Sequence, residues 1–514
     1  MPNYQSPGVY VEELESATRP IEGVGTAVAA FVGFSAHGPL HTPTLVTNWT
    51  QYTNTFGEPA PGTFLGHAVY GYFLNGGGQA YVVRVGGAPG AGAGTSARAE
   101  LTSAAAPDAV AYVATAKDTA KGTAARGEVT VEVTDTAAEG APQDAFRLVV
   151  RGGGREEVFE PVTTRRGRTN VVTQVNATST LIELAEAPGQ GALADRRPAN
   201  AVVTLAERPG AEVAVNPADY VGSGADRTGF GGLEAIDTVT MVAVPDLMAA
   251  YLAGRIDRDG VRAVQTAMIA HCELMGDRMA ILDPLPELNP QQVREWRMNE
   301  AGYDSKYAAL YWPWLKVLGP DGRSMALPPS GHLAGIWARN DETRGVHKAP
   351  ANEVVRGAIG VQVALTRAEQ DNLNPVGVNC IRAFPGRGIR VWGARTLSSD
   401  PAWRYINVRR LYNYVESSVR IGTQWVVFEP NDKSLWERVI RTLRSFLFTV
   451  WQDGGLFGET MEQAFYVKCD DETNPSESIE IGRLVCEIGL AVVKPAEFVV
   501  FRLAQLPTGT ALSE

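Results

Sequence analysis

The tryptophans divide the chain before any element is assigned. Nine of the ten lie between Trp296 and Trp451, the tenth is Trp49, and residues 95–219 hold none. That stretch also lacks Cys and His, and its aromatics are Tyr112, Phe146 and Phe159. Such a break in composition marks a separate module. Gly-rich connectors bracket it, Val85-Gly-Gly-Ala-Pro-Gly-Ala-Gly-Ala-Gly94 before and Val221-Gly-Ser-Gly-Ala-Asp-Arg-Thr-Gly-Phe-Gly-Gly232 after. Between them run Glu128–Thr134, Ala145–Val150, Asn170–Val175, Leu181–Leu184 and Ala201–Leu205, short segments alternating with turn residues. Period-two alternation predicts a small antiparallel β domain. It reads as an insertion, because the segments on either side resemble each other more than either resembles it.

Past residue 232 the pattern becomes strand–helix–strand. Thr238–Asp246, Arg278–Pro284 and Lys306–Trp312 are apolar strands, with helices expected from about Asp257 to Met275 and Pro290 to Glu300, the second capped by Asn289. Continuous apolar strands separated by helices imply a parallel sheet covered on both faces. Ala29–Phe34 and Ala80–Val85 fit the same sheet. The last third changes again. Residues 403–421 and 432–452 have helical periodicity, and Trp436, Val439, Ile440, Leu443, Phe446, Leu447 and Val450 form one apolar stripe. Strand-like runs follow at Ala464–Cys469, Arg483–Val493 and Phe498–Leu506.

The expected fold class is therefore multidomain α/β and α+β. An α/β core sheet (21–94 and 221–365) carries an inserted antiparallel β domain (95–220), followed by an α+β C-terminal domain (366–496). Terminal arms at 1–20 and 497–514 have exchanged terminal strands. A length of 514 residues suits three or four domains.

Charge and cysteine usage narrow the function. With 46 basic and 57 acidic side chains the net charge is −11, which argues against nucleic acid as a partner, since that needs basic surface to displace counterions. Four cysteines in this length exclude a disulfide scaffold and suit a reducing compartment. The start, Met1–Tyr10, has neither the basic nor the apolar region of a secretory signal. No apolar run is long enough for membrane insertion.

Catalytic constellations are weak. Asp246 and Asp283 end neighbouring strands, where ligands bind in parallel sheets, and two carboxylates there suit Mg²⁺. The competing reading is that each caps its following turn beside Pro245 or Pro284. The Gly-rich run 222–232 precedes its strand and lacks a Gly-Lys-Ser/Thr, so it reads as a connector. His37, His41, His67, His271, His332 and His347 have no ligand spacing, and Cys272, Cys380, Cys469 and Cys486 no Cys-x-x-Cys.

Two features stand out instead. On helix 432–452, Arg438, Arg441 and Arg444 recur every three residues opposite the apolar stripe, with Lys433 at its start. This ridge is either a solvated face with a Glu437–Arg441 pair or a docking face for an acidic partner. The second feature is the pair of chain ends. Gly8–Leu14, with Val9, Tyr10 and Val11, is a short strand with no hairpin partner nearby. Glu497–Leu503, with Phe498, Val499, Val500 and Phe501, is a long apolar strand. Unpaired strands invite pairing with another chain, and heterologous exchange builds rings or helical filaments.

The motifs at these positions resemble contractile tail sheath proteins of phages and phage-like injection particles. Tyr4–Glu13, Ala30–Pro39, Phe56-Gly-Glu58 and Tyr72–Arg84 resemble the family's N-terminal part. Pro328–Gly335, Lys348–Asn352, Asn374–Asn379, Gly393-Ala-Arg-Thr396, Asn407–Leu411 and Phe428-Glu-Pro-Asn431 resemble its core. The resemblance spans about residues 1–90 and 225–510. It implies a non-enzymatic subunit without cofactors that stacks as hexameric rings around an inner tube protein, with baseplate and tail-terminator proteins as further partners. It also implies assembly in a bacterial cytoplasm, strand exchange by both arms, a C-terminal domain facing the tube, and contraction that drives the tube through an envelope. Flexible linkers after residue 14 and before residue 497 are the expected hinges.

Overall fold

Continuous apolar runs build the centre of the molecule. In a computed structural model describing residues 20–86, 97–106, 109–117, 129–137, 140–142, 144–165, 167–187, 197–205, 216–319 and 322–501, the chain divides into two compact units. One comprises residues 1–86 with 215–514, the other residues 87–214.

The first unit holds an eight-stranded sheet. Its order, from one edge to the other, is Gly388–Val391, Val378–Phe384, Ala308–Trp312, Met279–Leu282, Met241–Ala243, Val28–Phe34, Gln79–Gly86 and Thr44–Val46. The six inner strands are parallel and the two edge strands antiparallel. Every residue of Val28–Phe34, Met279–Leu282 and Ala308–Trp312 is buried, as expected where helices cover both faces. The chain reaches Gln79–Gly86 on one side of Val28–Phe34 and then crosses to Met241–Ala243 on the other, which makes a topological switch point between those strands. The sheet also takes in Val378–Val391, so the α/β core runs beyond the boundary expected at residue 365.

Local signals set the helices. Asp257 accepts from Gly260 N–H at 2.8 Å to start Arg258–Met275, and Gly276 ends it at φ 70°, a left-handed conformation costly for any side chain with a Cβ. Asn289 and Gln292 form a reciprocal capping box at the start of Pro290–Glu295. The expected helix to residue 300 then loosens into a π turn, Trp296–Glu300, that buries Trp296 and Arg297.

The rest of the first unit is α+β. Helices Ile406–Gly422 and Lys433–Gln452 pack with a two-stranded antiparallel ladder, Phe465–Lys468 against Glu487–Leu490, around Leu411, Val415, Trp436, Leu443 and Leu447. Phe498–Phe501 form no strand in the protomer, in contrast to the sequence expectation. A strand exists only through its ladder, and the described residues provide none here.

The second unit packs a four-stranded antiparallel sheet (Ala201–Thr204, Thr130–Asp135, Phe146–Gly152, Arg155–Val162) and a three-stranded one (Arg98–Thr102, Val110–Ala116, Ile182–Glu186) around one core. In Thr130–Asp135 the alternation is literal, with Val131 and Val133 buried. The expected strand Asn170–Val175 is instead the first part of helix Val171–Thr178. Asn170 caps it by accepting from Thr173 N–H at 3.0 Å, so a short polar residue before Val-Val-Thr acted as a helix start.

Candidate functional site

The crevice where an α/β enzyme would hold its ligand is filled from within. Asp246 lies at the switch point, fully buried, with one carboxylate oxygen accepting from Phe34 N–H at 2.6 Å. The other accepts from the N–H groups of Phe64 and Leu65. The carboxylate therefore occupies the positive N-terminus of helix Leu65–Leu74, the position a bound phosphate takes in a nucleotide site. Gly33 makes this approach possible, since a Cβ there would lie 2.5 Å from Asp246 Oδ2. Asp283 repeats the device. It accepts Ser330 N–H at 2.9 Å and the Ser330 hydroxyl at 2.6 Å at the start of helix Ser330–Arg344. Burial pushes both carboxyls up to about 7, against the pull of their donors. Each aspartate thus caps a helix, as the simpler reading held, although the helix is distant in sequence and not the adjoining turn. The two carboxylates serve different helices, and among the described residues no group of three or more His, Cys, Asp or Glu is placed to hold a metal ion. The metal-enzyme alternative finds no support here.

The basic helix is less free than its sequence suggests. Arg438 donates to Glu429 at 2.7 Å and lies over the Trp425 ring at 5.1 Å, and Lys433 donates to Asp471 at 2.8 Å. These partners come from the loop before the helix and from the turn after strand Phe465–Lys468, and the expected Glu437–Arg441 pair is not formed. Arg441 and Arg444 are exposed, on the face opposite Val439, Leu443, Phe446 and Val450. The loop before the helix projects Phe428, fully exposed at φ 69°.

Both chain ends are rooted in the first unit. Val9, Tyr10 and Val11 lie outside the described residues. The segment leading from them is held at Thr26, whose hydroxyl donates to Asp341 at 2.6 Å and whose carbonyl accepts from Arg410 at 2.9 Å. Arg410 and Asp341 form a two-pronged, nearly fully buried ion pair joining helices Ile406–Gly422 and Ser330–Arg344. At the other end, Val493 N–H donates to Gly455 O, the Asn407 side chain holds Val493 O at 3.1 Å, and Glu497 is gripped by Arg395, Asn374 and Tyr405. Immediately after Glu497, the side chains of Phe498, Val499, Val500 and Phe501 are 68–85% exposed. The chain is thus held at Val493 and Glu497, where the sequence predicts a flexible linker before residue 497. None of Thr26, Asp341, Arg395, Arg410 or Glu497 emerged as a site from the sequence, because each partner is remote along the chain.

Comparison with known proteins identifies similar chains. The phage tail sheath protein central domain matches residues 229–397, and the phage tail sheath C-terminal domain matches residues 398–505. Together these cover more than half of the chain. A putative prophage major tail sheath protein of Pseudomonas aeruginosa (strain UCBPP-PA14) is 27% identical over 249 residues, 47% of this chain and 61% of that protein. The tail sheath protein of Vibrio phage KVP40 is 26% identical over 196 residues, 37% of this chain and 28% of that protein. The chain therefore spans less than two thirds of these relatives' own length. Two solved structures share its fold across 98% of this chain and 99% of theirs. They are the anti-feeding prophage helical sheath in its contracted state (24% identity, TM-score 0.61) and the contracted PVC sheath complex of an extracellular contractile injection system (23% identity, TM-score 0.60).

Proposed function

We propose, from the premise that this chain belongs to the phage tail sheath family, that it is the sheath subunit of a contractile tail or phage-like injection particle. Copies stack as hexameric rings around an inner tube protein, with baseplate and tail-terminator proteins at the ends, and assemble in a bacterial cytoplasm. Contraction shortens and widens the sheath and drives the tube through a target envelope. The subunit acts as a rigid body that keeps hold of its neighbours through its two terminal arms.

One observation carries this reading: the α+β part of the first unit has a ladder of two strands, while an exposed apolar segment of the same unit, Phe498–Phe501, has no strand partner among the described residues. Two-stranded ladders are marginal alone and gain from a third strand. An apolar strand supplied by another copy satisfies main-chain groups on both sides by β-augmentation. Because donor and acceptor surfaces differ, the contact is heterologous and propagates. The filled switch-point crevice accords with a body that transmits force and performs no chemistry.

The tube contact falls to the Lys433–Gln452 helix. Of its four basic candidates, Lys433 is paired with Asp471 and Arg438 with Glu429, which leaves Arg441 and Arg444 as exposed cations without an ion pair among the described residues. The double variant R441E/R444E is expected to weaken assembly on tubes and leave tube-free sheath formation intact. Equal loss of both in a co-sedimentation assay would make the helix a folding element. A chain lacking residues 1–14 or 498–514 is expected to fold, by circular dichroism, yet not to polymerise. Full-length tubular polymers of either truncated chain in electron micrographs would defeat strand exchange.

A further inference from the structure

We infer that Glu497 is a positioning residue whose clamp fixes where and in what direction the C-terminal arm leaves the subunit, and anchors that arm to the core sheet. The inference rests on the strand-exchange reading above and adds to it the device that aims the strand.

Four donors converge on this one carboxylate. Oε1 accepts from Asn374 Nδ2 at 2.7 Å and from Arg395 Nε at 2.9 Å, and Oε2 accepts from Arg395 Nη2 at 2.5 Å and from the Tyr405 hydroxyl at 3.1 Å. Arg395 and Glu497 meet in the two-pronged geometry in which a planar guanidinium fixes both the position and the orientation of its partner. The side chain of Glu497 is 18% exposed, whereas Phe498 beside it is 75% exposed. Burial pushes the carboxyl up, but Arg395, Asn374 and Tyr405 together outweigh it and hold it below the usual glutamate range. It is therefore ionised, and the clamp closed, at neutral pH.

The clamp is itself immobilised. Arg395 N–H donates to Asn379 Oδ1 and Asn379 Nδ2 donates to Arg395 O, both at 2.7 Å, and Arg395 Nη1 donates to Asn374 O at 3.2 Å. Asn379 is fully buried on the parallel strand Val378–Phe384 and also holds Leu310 O of the adjoining strand at 3.2 Å. Gly393 lets it reach across, since a Cβ there would sit 2.9 Å from Asn379 Oδ1. An unbroken chain of hydrogen bonds thus leads from two inner strands of the eight-stranded sheet to the last residue before the exposed apolar segment.

The consequence is mechanical and thermodynamic. Tension on a donated strand passes through Glu497 and Arg395 into the rigid sheet. An arm with a fixed root also searches less space for its acceptor than one that swings from a loose tether, so less freedom is lost on docking.

Three full-length chains test this: wild type, E497Q and Y405F, together with the chain lacking 498–514. Each is measured for protomer melting and for the critical concentration of polymerisation by sedimentation. E497Q keeps the size of the side chain but loses its charge. It leaves Arg395 without its counter-charge, so it is expected to melt somewhat below the wild type and, at temperatures where its protomer is still fully folded, to raise the critical concentration roughly tenfold or more, with faster proteolysis around residues 493–497. Y405F removes one donor and is expected to give a smaller rise with the fold intact. Normal polymerisation of E497Q, or of Y405F should E497Q fail to fold, overturns the clamp. A loss of assembly in E497Q that merely tracks a lowered melting temperature also overturns it, since that is a structural role. If the truncated chain polymerises normally, strand exchange itself fails. If it does not polymerise while E497Q does, only the clamp is wrong.

Discussion

Buried carboxylates beyond the carboxyl ends of two neighbouring strands occupy helix N-termini in this α/β sheet. Asp246 and Asp283 are held as protonatable groups near pH 7 by burial, so the folded chain retains protons there that the unfolded chain releases around pH 4. The sign follows from linkage: their contribution to stability falls as pH rises from about 4 to about 7, then levels. His271 and His332, pushed down to about 4 chiefly by burial, tilt the curve oppositely between about 4 and 6.5, so comparison of variants is the clean test. In D283N the amide can still accept Ser330 N–H, and the Ser330 hydroxyl can turn to accept from the new amide. D283N is therefore expected to melt at or above the wild-type temperature at pH 8 and to flatten the pH dependence of melting between 6.5 and 8. D246N sets an amide N–H against the Phe34 N–H, and is expected to lose about 1–3 kcal/mol in denaturant titration. A capping role for each was legible in the sequence, but the helix that each caps was not, since the adjoining turn was expected. Their partners Phe34, Phe64 and Ser330 are brought in by tertiary structure alone, and an aspartate after a strand looks the same whether it awaits a ligand or a helix.

Among the elements, legibility follows the range of the forces involved. Met279–Leu282 and Ala308–Trp312 were readable because complete burial demands an uninterrupted apolar run. Asn289 was readable as a cap because its partner is three residues away. Replacing it with alanine is expected to cost about 1 kcal/mol by chemical denaturation, without altering assembly. Asn170–Val175 misled because its β-branched Val-Val-Thr has strand composition, whereas Val171 and Val175, four apart, share one buried helical face, and the Asn170–Thr173 cap decides between them. On the basic helix the stripe of Trp436, Val439 and Leu443 was evident, but the pairing of Arg438 with Glu429 was not, since the loop that carries Glu429 folds back on the helix. The segment proposed for exchange, Phe498–Phe501, has strand composition yet no strand geometry in the protomer, because a strand's hydrogen bonds belong to its neighbour as much as to itself.

At the level of the whole molecule, the two chain ends are treated alike. Each is rooted by a largely buried arginine, Arg410 through Asp341 and Thr26 on the N-terminal side, Arg395 through Glu497 on the C-terminal side. Breaking the Arg410–Asp341 pair with D341A leaves a buried guanidinium uncompensated, which is expected to destabilise the protomer by about 3–5 kcal/mol in denaturant titration. The exposed Phe498-Val-Val-Phe501 segment also bears on the life of the subunit before it meets its fellows. Four greasy side chains in a row, offered to water on a fixed base, make every newly made copy adhesive. Under the proposed strand exchange, synthesis and consumption must therefore keep pace, and a cell that makes this polypeptide faster than copies can pair accumulates clumps where it needed a reserve.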